Sequence, residues 1–395
     1  MSICGKIKNS FIYTPGEGST YCCEEEDYAL PFRTRFSMHQ WEEKRHYELS
    51  EFEKSKTNWL PQCYKCKINE EHLGYSMRTQ SDTYSDNFIH DVVIKTNNTC
   101  NLACRMCSPN ASTKWQSILA NSPQVVKSDA VPISISDKEF ELFKELVLTR
   151  HLKSMIISGG ESLLSDYNKQ AIDYLIEKNF AKNVILHITT NGTINFRDSW
   201  LDATKKFRRV IIEFSIDGTF DSFEYIREGH TWEKLCNVVQ DLYHLAPNVQ
   251  FKFNYVAQTL NASTLLGDAL ILWRLFSGKD TYINTHRITA TEFLKRQISL
   301  CLQPSYLGYK SLSPDLREKY NLYSFFPDID KLYPYSYTEF KMFMKQMGHM
   351  DLATGKSLKD FNPDFFNKKY YERQHIDSYY KAREQKEWRT NASDE

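Results

Sequence analysis

From residue 91 onward, short apolar runs rich in β-branched and aromatic residues alternate with longer segments that read as helices. The runs DVVIKTN (91–97), KSMIIS (153–158), NVILHITT (183–190), RVIIEFSI (209–216) and NVQFKFNYVA (248–257) predict strands, and a weaker run at 281–286 a sixth. ASTKWQSILAN (111–121), DKEFELFKELVLTR (137–150) and segments near 166–179, 197–207, 231–246 and 262–276 predict helices. Strand followed by helix, repeated in this way, predicts an α/β fold around a parallel sheet. Six units are too few for a closed eight-stranded barrel, so the expectation over residues 89–290 is a partial (β/α)6 TIM-like barrel. Residues 1–88 read as an irregular, polar module rich in aromatics and cysteine, with a charged helix near 39–57. Residues 291–395 read as a mainly helical extension with a polar tail from about 380.

Composition narrows the classes. The chain has 395 residues, 41% of them apolar, which is enough for a folded core and excludes a disordered chain. Fifty basic residues balance fifty acidic ones, so there is no net field that would draw it to nucleic acid or an anionic membrane. No apolar run approaches the roughly 20 residues of a membrane span. The opening MSICGKIKNS has no apolar signal core, and the expectation is a cytoplasmic protein. There a reducing environment disfavours disulfides, and the ten cysteines ask for another explanation.

Three of them, Cys100, Cys104 and Cys107, lie in IKTNNTCNLACRMCSPN (94–110), between the first strand and the first helix of the repeat. Three thiolates on one short loop can hold three corners of a cubane iron–sulfur cluster and leave one iron open. A structural zinc site wants four ligands, and the loop has no fourth cysteine. The place of the loop, after a strand at its C-terminal end, is where barrel folds put their chemistry. Two other readings stand beside this one: zinc with a distant fourth ligand such as His90 or His151, and three buried thiols without metal.

C-x3-C-x2-C after a first strand resembles the radical S-adenosylmethionine (SAM) superfamily, and the resemblance extends along the chain. SGGESLL (158–164) resembles the family's GGEPL motif, with Ser162 in place of proline. TTNGT (189–193), FSIDG (214–218) followed by Arg227 in YIRE, and FNYVAQTLNA (253–262) end the next strands in the family's order. The resemblance implies a [4Fe–4S] cluster on Cys100, Cys104 and Cys107 with SAM on its open iron. It implies reductive cleavage of SAM to a 5′-deoxyadenosyl radical that abstracts hydrogen from a substrate. On this pattern Gly159 and Gly160 admit the methionyl group, and Glu161 accepts from its amino group. Thr190, Asn191, Ser215, Asp217 and Arg227 complete the SAM contacts, with Thr189 and Asn254 as further polar residues at strand ends. An aromatic that often precedes the third cysteine is replaced by Met106, which leaves the adenine contact unassigned.

The first segment holds a second group: CGKIKNSFIYTPGEGSTYCC (4–23), with a glycine-containing hairpin, and LPQCYKCKINEEHLGYSMR (60–78). It resembles the auxiliary-cluster module called twitch, a shortened SPASM. The resemblance implies a second [4Fe–4S] cluster on Cys4, Cys22 or Cys23, Cys63 and Cys66, a set that zinc would also suit. The run DLATGKSLKDFNPDF (351–365) resembles the C-terminal parts of twitch-containing radical SAM proteins. Cys236 and Cys301 read as packing residues. No GxGxxG or GK[ST] loop supports NAD or ATP. The expected function is hydrogen abstraction from a peptide or protein, with flavodoxin or ferredoxin as electron donor. A small-molecule dehydrogenase or mutase is the alternative on the same scaffold, and a non-catalytic zinc or iron–sulfur module the alternative without catalysis.

Overall fold

The computed structural model describes residues 8–15, 18–20, 22, 38–54, 59–60, 63, 66–67, 70–71, 76–80, 84, 86, 88–122, 130–196, 198–246, 249–276, 298–301 and 304–384. Along the chain it runs β1 (Ser10–Thr14), β2 (Gly18–Thr20), α1 (Met38–Lys54), β3 (Asp91–Lys95), β4 (Ala103–Cys104), α2 (Thr113–Asn121), α3 (Asp137–Leu146), β5 (Ser154–Ser158) and α4 (Asp166–Glu177). It continues with β6 (Ile185–Thr190), α5 (Asp198–Thr204), β7 (Arg209–Ser215), α6 (Phe220–Ile226), β8 (Arg227–Glu228), α7 (Trp232–Leu245), β9 (Val249–Ala257) and α8 (Leu265–Phe276). Last come β10 (Ile298–Leu300), α9 (Tyr337–Thr354) and α10 (Arg373–Glu384), with shorter helical turns between them. The α/β class and the strand–helix repeat are those the hydrophobic pattern predicts. Among the described residues no helix is long and apolar enough to cross a membrane.

Packing divides the chain into two units. The first comprises Met1–Asn98, Ile133–Thr189 and Phe196–Ile211. Its strands lie in the order β2-β1-β3-β5-β6, followed by the start of β7. β3 pairs in parallel with β5 (Val93↔Ile156), and β5 with β6 (Ile156↔His187). Every second residue is buried: Val92 and Ile94, Met155 and Ile157, Leu186 and Ile188. That face meets the apolar stripes of α3 (Phe140, Phe143) and α4 (Ala171, Ile172, Leu175). α3 starts where a capping box forms, Ser136 accepting from the Glu139 amide while Glu139 turns back to the Ser136 amide.

Two strands of this unit fall in the stretch expected to be irregular. β1 (SFIYT) pairs antiparallel with β2 across the glycine-containing hairpin and parallel with β3, in register Ser10↔Asp91 to Tyr13↔Ile94. Four β-prone residues (Phe11–Thr14) inside a polar segment are too short a run to stand out by periodicity, and pairing with β3 is what fixes them as a strand.

The second unit comprises Thr99–Pro132, Thr190–Asn195 and Ile212–Glu395. It contains the end of β7, then β9 and β10 in that order. Ile212, Phe214, Phe251, Phe253 and Tyr255 are buried on one strand face, covered by α6, α7 and α8 through Phe223, Leu235, Leu242, Leu272 and Phe276. The sixth strand of the repeat is β10, in parallel register with β9 (Ile298↔Tyr255); the expected strand at 281–286 lies outside the described residues. In the extension α9 buries Phe340, Phe343, Met344 and Met347. Gly348 lets α10 approach: a Cβ there would stand 2.5 Å from the Tyr379 carbonyl oxygen.

Candidate functional site

The three-cysteine loop belongs to the second unit and is tied down by its own neighbours. Ser112 caps α2, accepting from the Lys114 and Trp115 amides, and its hydroxyl donates to the Leu102 carbonyl at 2.6 Å. Thr113 Oγ1 accepts from the Cys100 amide and donates to the Cys100 carbonyl, both at 3.1 Å. Trp115, fully buried, donates its indole N–H to the Cys104 carbonyl at 2.9 Å. The Cys107 amide closes a turn onto the Cys104 carbonyl at 3.0 Å. Cys104 is buried, while Cys100 and Cys107 are partly buried.

β4 then sets what faces Cys104. It pairs antiparallel with β8 in register Cys104↔Arg227 and Ala103↔Glu228. This puts the Arg227 guanidinium 3.8 Å (Nη1) from Cys104 Sγ. Nη2 of the same group lies 2.5 Å from Asp217 Oδ2. Asp217 has no exposed surface; its Oδ1 accepts from the Val256 amide at 2.8 Å. Asn261 donates to the Asp217 and Val256 carbonyls and fixes that strand end. Burial lifts the Asp217 carboxyl above its ordinary value against the pull of Arg227. Burial also opposes the Arg227 charge, yet Asp217 and the cysteine sulfurs hold it more firmly protonated than an ordinary arginine. Opposed oxygen and guanidinium at this distance in a dry setting form an ion pair, and the charged form of Asp217 is the one this geometry supports.

The sulfurs interact with one another as well. The Cys104 thiol, hydrogen-bonded to Cys107 and buried, is raised far above the ordinary cysteine value; the same hydrogen bond lowers Cys107. Arg227 pulls both down. At the other end of the loop Asn191 Nδ2 lies 3.8 Å from Cys100 Sγ and donates to Asn101 Oδ1 at 3.0 Å; Asn101 donates to Thr193 Oγ1 at 2.7 Å. Amide and guanidinium donors turned toward thiol sulfurs are what an anionic, thiolate-bound cluster requires. The residues present therefore fit a [4Fe–4S] group on Cys100, Cys104 and Cys107.

The other expected residues are placed as follows. Thr190 is buried, its hydroxyl accepting from the Gly192 amide at 3.1 Å. Ser215 ends β7 half-buried, and Asn254 on β9 is half-buried, its carbonyl accepting from the Ile216 amide. Arg227 is not a surface charge between Glu224 and Glu228. Glu224 caps the Trp232 amide and Glu228 pairs with Lys356 at 2.8 Å, and neither holds it. In the first unit, Gly159 has φ +126°, and a Cβ there would lie 2.8 Å from the Asn97 carbonyl oxygen. The Gly160 amide donates to that same oxygen at 3.3 Å. Glu161 is buried, one oxygen accepting from the Leu163 amide. Ser162, in the place of proline, holds the turn by donating to the Thr189 carbonyl at 2.6 Å. Both ring nitrogens of His90 are engaged there, with the His151 carbonyl and Asp86.

Of the second cysteine group, Cys4 and Cys23 lie outside the described residues. Cys22 and Cys63 pack against the same small cluster of Phe52 and Leu60, and Cys66 is buried. The sequence reading passed over Asn101 and Thr193, which hold Asn191, and over Arg105. Asn101 has a local signal, since it adjoins a cysteine of the loop; the partner of Arg105 is far away in sequence.

Residues 94–259 match the model of the Radical SAM superfamily. The match covers the cysteine loop, the motifs at 158–164, 189–193 and 214–218, and the first seven residues of the one at 253–262. No curated protein matches. Among solved structures, the chain is similar to native anSMEcpe with bound AdoMet, at 18% identity over 67% of this chain and 62% of that one, TM-score 0.37. It is also similar to Streptococcus suis SuiB bound to S-adenosylmethionine, at 14% identity over 73% and 58%, TM-score 0.35. For SuiB bound to the precursor peptide SuiA the figures are 13%, 87% and 72%, with TM-score 0.35. The chain spans about three fifths of the length of the first of these.

Proposed function

We propose that the protein is a radical SAM enzyme that cleaves S-adenosylmethionine reductively and abstracts hydrogen from a peptide or protein substrate. The observation that carries this is the cysteine loop itself: three thiols within eight residues, with the Arg227 guanidinium and the Asn191 amide at two of the sulfurs. When bound by these cysteines and reduced by an external electron donor, a [4Fe–4S] cluster would supply the one electron that reductive cleavage of SAM needs. The chain's residues do the rest. Cys100, Cys104 and Cys107 hold the cluster. Arg227, anchored by Asp217, keeps a positive charge at Cys104. Gly159 and Gly160 supply a backbone without side chains for the methionyl group, and Glu161 an acceptor for its amino group, as the motif implies. Thr190 and Ser215 offer hydroxyls at their strand ends. Cys22 and Cys63, packed on one apolar cluster, support an auxiliary [4Fe–4S] site with Cys66 and Cys4. The twitch-like module is the reason for favouring a peptide, and a flavodoxin or ferredoxin would deliver the electron.

The test is anaerobic reconstitution with iron and sulfide, followed by 5′-deoxyadenosine release from SAM under a strong reductant. Release that disappears in the Cys100→Ala/Cys104→Ala/Cys107→Ala variant supports the proposal. Release that survives in that variant overturns the cluster assignment.

A further inference from the structure

Arg105 stands inside the cysteine loop, one residue after Cys104, and its side chain has no exposed surface. It cannot reach solvent. Its Nη2 lies 2.9 Å from Asp351 Oδ1 and 3.1 Å from Thr354 Oγ1. Nε donates to the Tyr225 carbonyl at 3.3 Å, and the guanidinium lies over the Tyr225 ring at 4.5 Å. Its backbone amide donates to the Ile226 carbonyl at 2.8 Å, next to the Cys104↔Arg227 pair. Asp351, also without exposed surface, is saturated from four sides. Oδ1 takes Arg105 and the Tyr225 hydroxyl (2.9 Å), and Oδ2 takes the Tyr379 hydroxyl (2.7 Å) and the Leu358 amide (2.5 Å). Just beyond, Lys356 donates to the Glu224 carbonyl at 2.7 Å and pairs with Glu228 of β8.

We infer that Arg105 and Asp351 are a positioning pair, through which the end of α9 and residues 351–358 set the geometry of Cys104 and its neighbour Arg227. The inference rests on the cluster reading of the loop. Two opposite charges 2.9 Å apart cancel at a distance, so the pair acts on the site by geometry rather than by field. An apolar pair would fill the same volume at similar stability; a buried ion pair fixes one register, because the Nη2 and Nε contacts of Arg105 and the four donors on Asp351 are met together in one arrangement, even though Arg105 Nη1 has no hydrogen-bond partner. The C-terminal extension is, at this point, part of the support of the cysteine loop.

The experiment compares the reconstituted wild type with Arg105→Met/Asp351→Leu. It reads iron per chain, the EPR spectrum of the reduced cluster with and without SAM, and the melting temperature. The SAM-induced spectral change reports on the loop's cluster alone. The expected result is a double variant that melts close to the wild type but shows a changed EPR line shape and at least a twofold loss of the SAM-responsive signal. A folded double variant with wild-type iron, line shape and SAM response overturns the inference. Should the double variant not fold, Thr354→Val and Tyr379→Phe each remove one hydrogen bond from the pair and leave both charges. A smaller change in the same readings supports the inference, and none overturns it. A wild type that shows no SAM-responsive cluster overturns the cluster reading itself, which is a separate result.

Discussion

The Asp217–Arg227 pair allows a sharp comparison, because β7 and β9 carry a second ion pair of similar length in a wetter setting. Asp217 Oδ2 to Arg227 Nη2 is 2.5 Å, with Asp217 fully enclosed and the Arg227 side chain 10% exposed. Glu213 Oε1 to Lys252 Nζ is 2.7 Å, with the side chains 13% and 34% exposed. Asp217→Asn keeps the shape and, through its amide oxygen, the bond from the Val256 amide, but it leaves the Arg227 charge buried without an anion. Removing one partner of a buried pair costs about 3–5 kcal/mol, whereas a solvent-screened pair is worth about 0.2–1 kcal/mol. At about 2–4 °C per kcal/mol for a folding unit of 150–250 residues, Asp217→Asn lowers the melting temperature by roughly 6–20 °C. On the same scale Glu213→Gln lowers it by at most about 4 °C. Both variants are melted anaerobically at pH 7.5 beside the wild type. If Asp217→Asn shifts the transition no more than Glu213→Gln does, burial has won over Arg227, Asp217 is protonated in the native protein, and the ion-pair reasoning fails.

Two further outcomes follow from the geometry. Gly159→Ala forces a Cβ into a left-handed backbone position 2.8 Å from a carbonyl oxygen, and a lower denaturation midpoint corresponding to about 1–3 kcal/mol is expected; an unchanged midpoint means that the loop relaxes freely. Burial depresses His230 and His349 to about 4, so the native protein keeps them neutral while the unfolded chain takes up protons below about pH 6.5. Stability is then complete above pH 6.5 and falls progressively toward pH 4, by roughly 1–3 kcal/mol per histidine, and a melting temperature that is flat from pH 7 to 5 contradicts the assignment.

What the sequence disclosed and what it hid divide along locality. The strands β3, β5, β6, β7 and β9 were legible because each is a run of five or more residues rich in β-branched, aromatic or other apolar side chains, set between helical segments. The cysteine loop was legible because all three sulfurs lie within eight residues, just after a strand. β1 and β10 carry five and three residues and owe their strand form to the neighbour they pair with, which a one-dimensional pattern cannot register. Asp217 and Arg227 were both singled out, each for its likeness to a SAM contact. That Arg227 also faces Cys104 depends on the β4–β8 register, which no spacing rule supplies. Arg105 carried no signal at all, since its partner is Asp351 and the contact exists only once α9 has docked.

The two arginines beside Cys104 show why the same side chain serves two ends. Arg105 spends its Nη2 and Nε on Asp351, Thr354 and the Tyr225 carbonyl, and its charge is cancelled where it stands. Arg227 has its anion on one side only, and its Nη1 faces the cysteine sulfur. If both were cancelled in the same way, the loop would be rigid but would offer a buried anionic cluster no compensating charge. If both faced sulfur, two uncompensated cations would sit in a dry site with no anion to offset their desolvation until the cluster had formed. One arginine committed to geometry and one left partly open to the sulfur is the arrangement that holds the loop in place and, on the proposed function, favours an anionic cluster there.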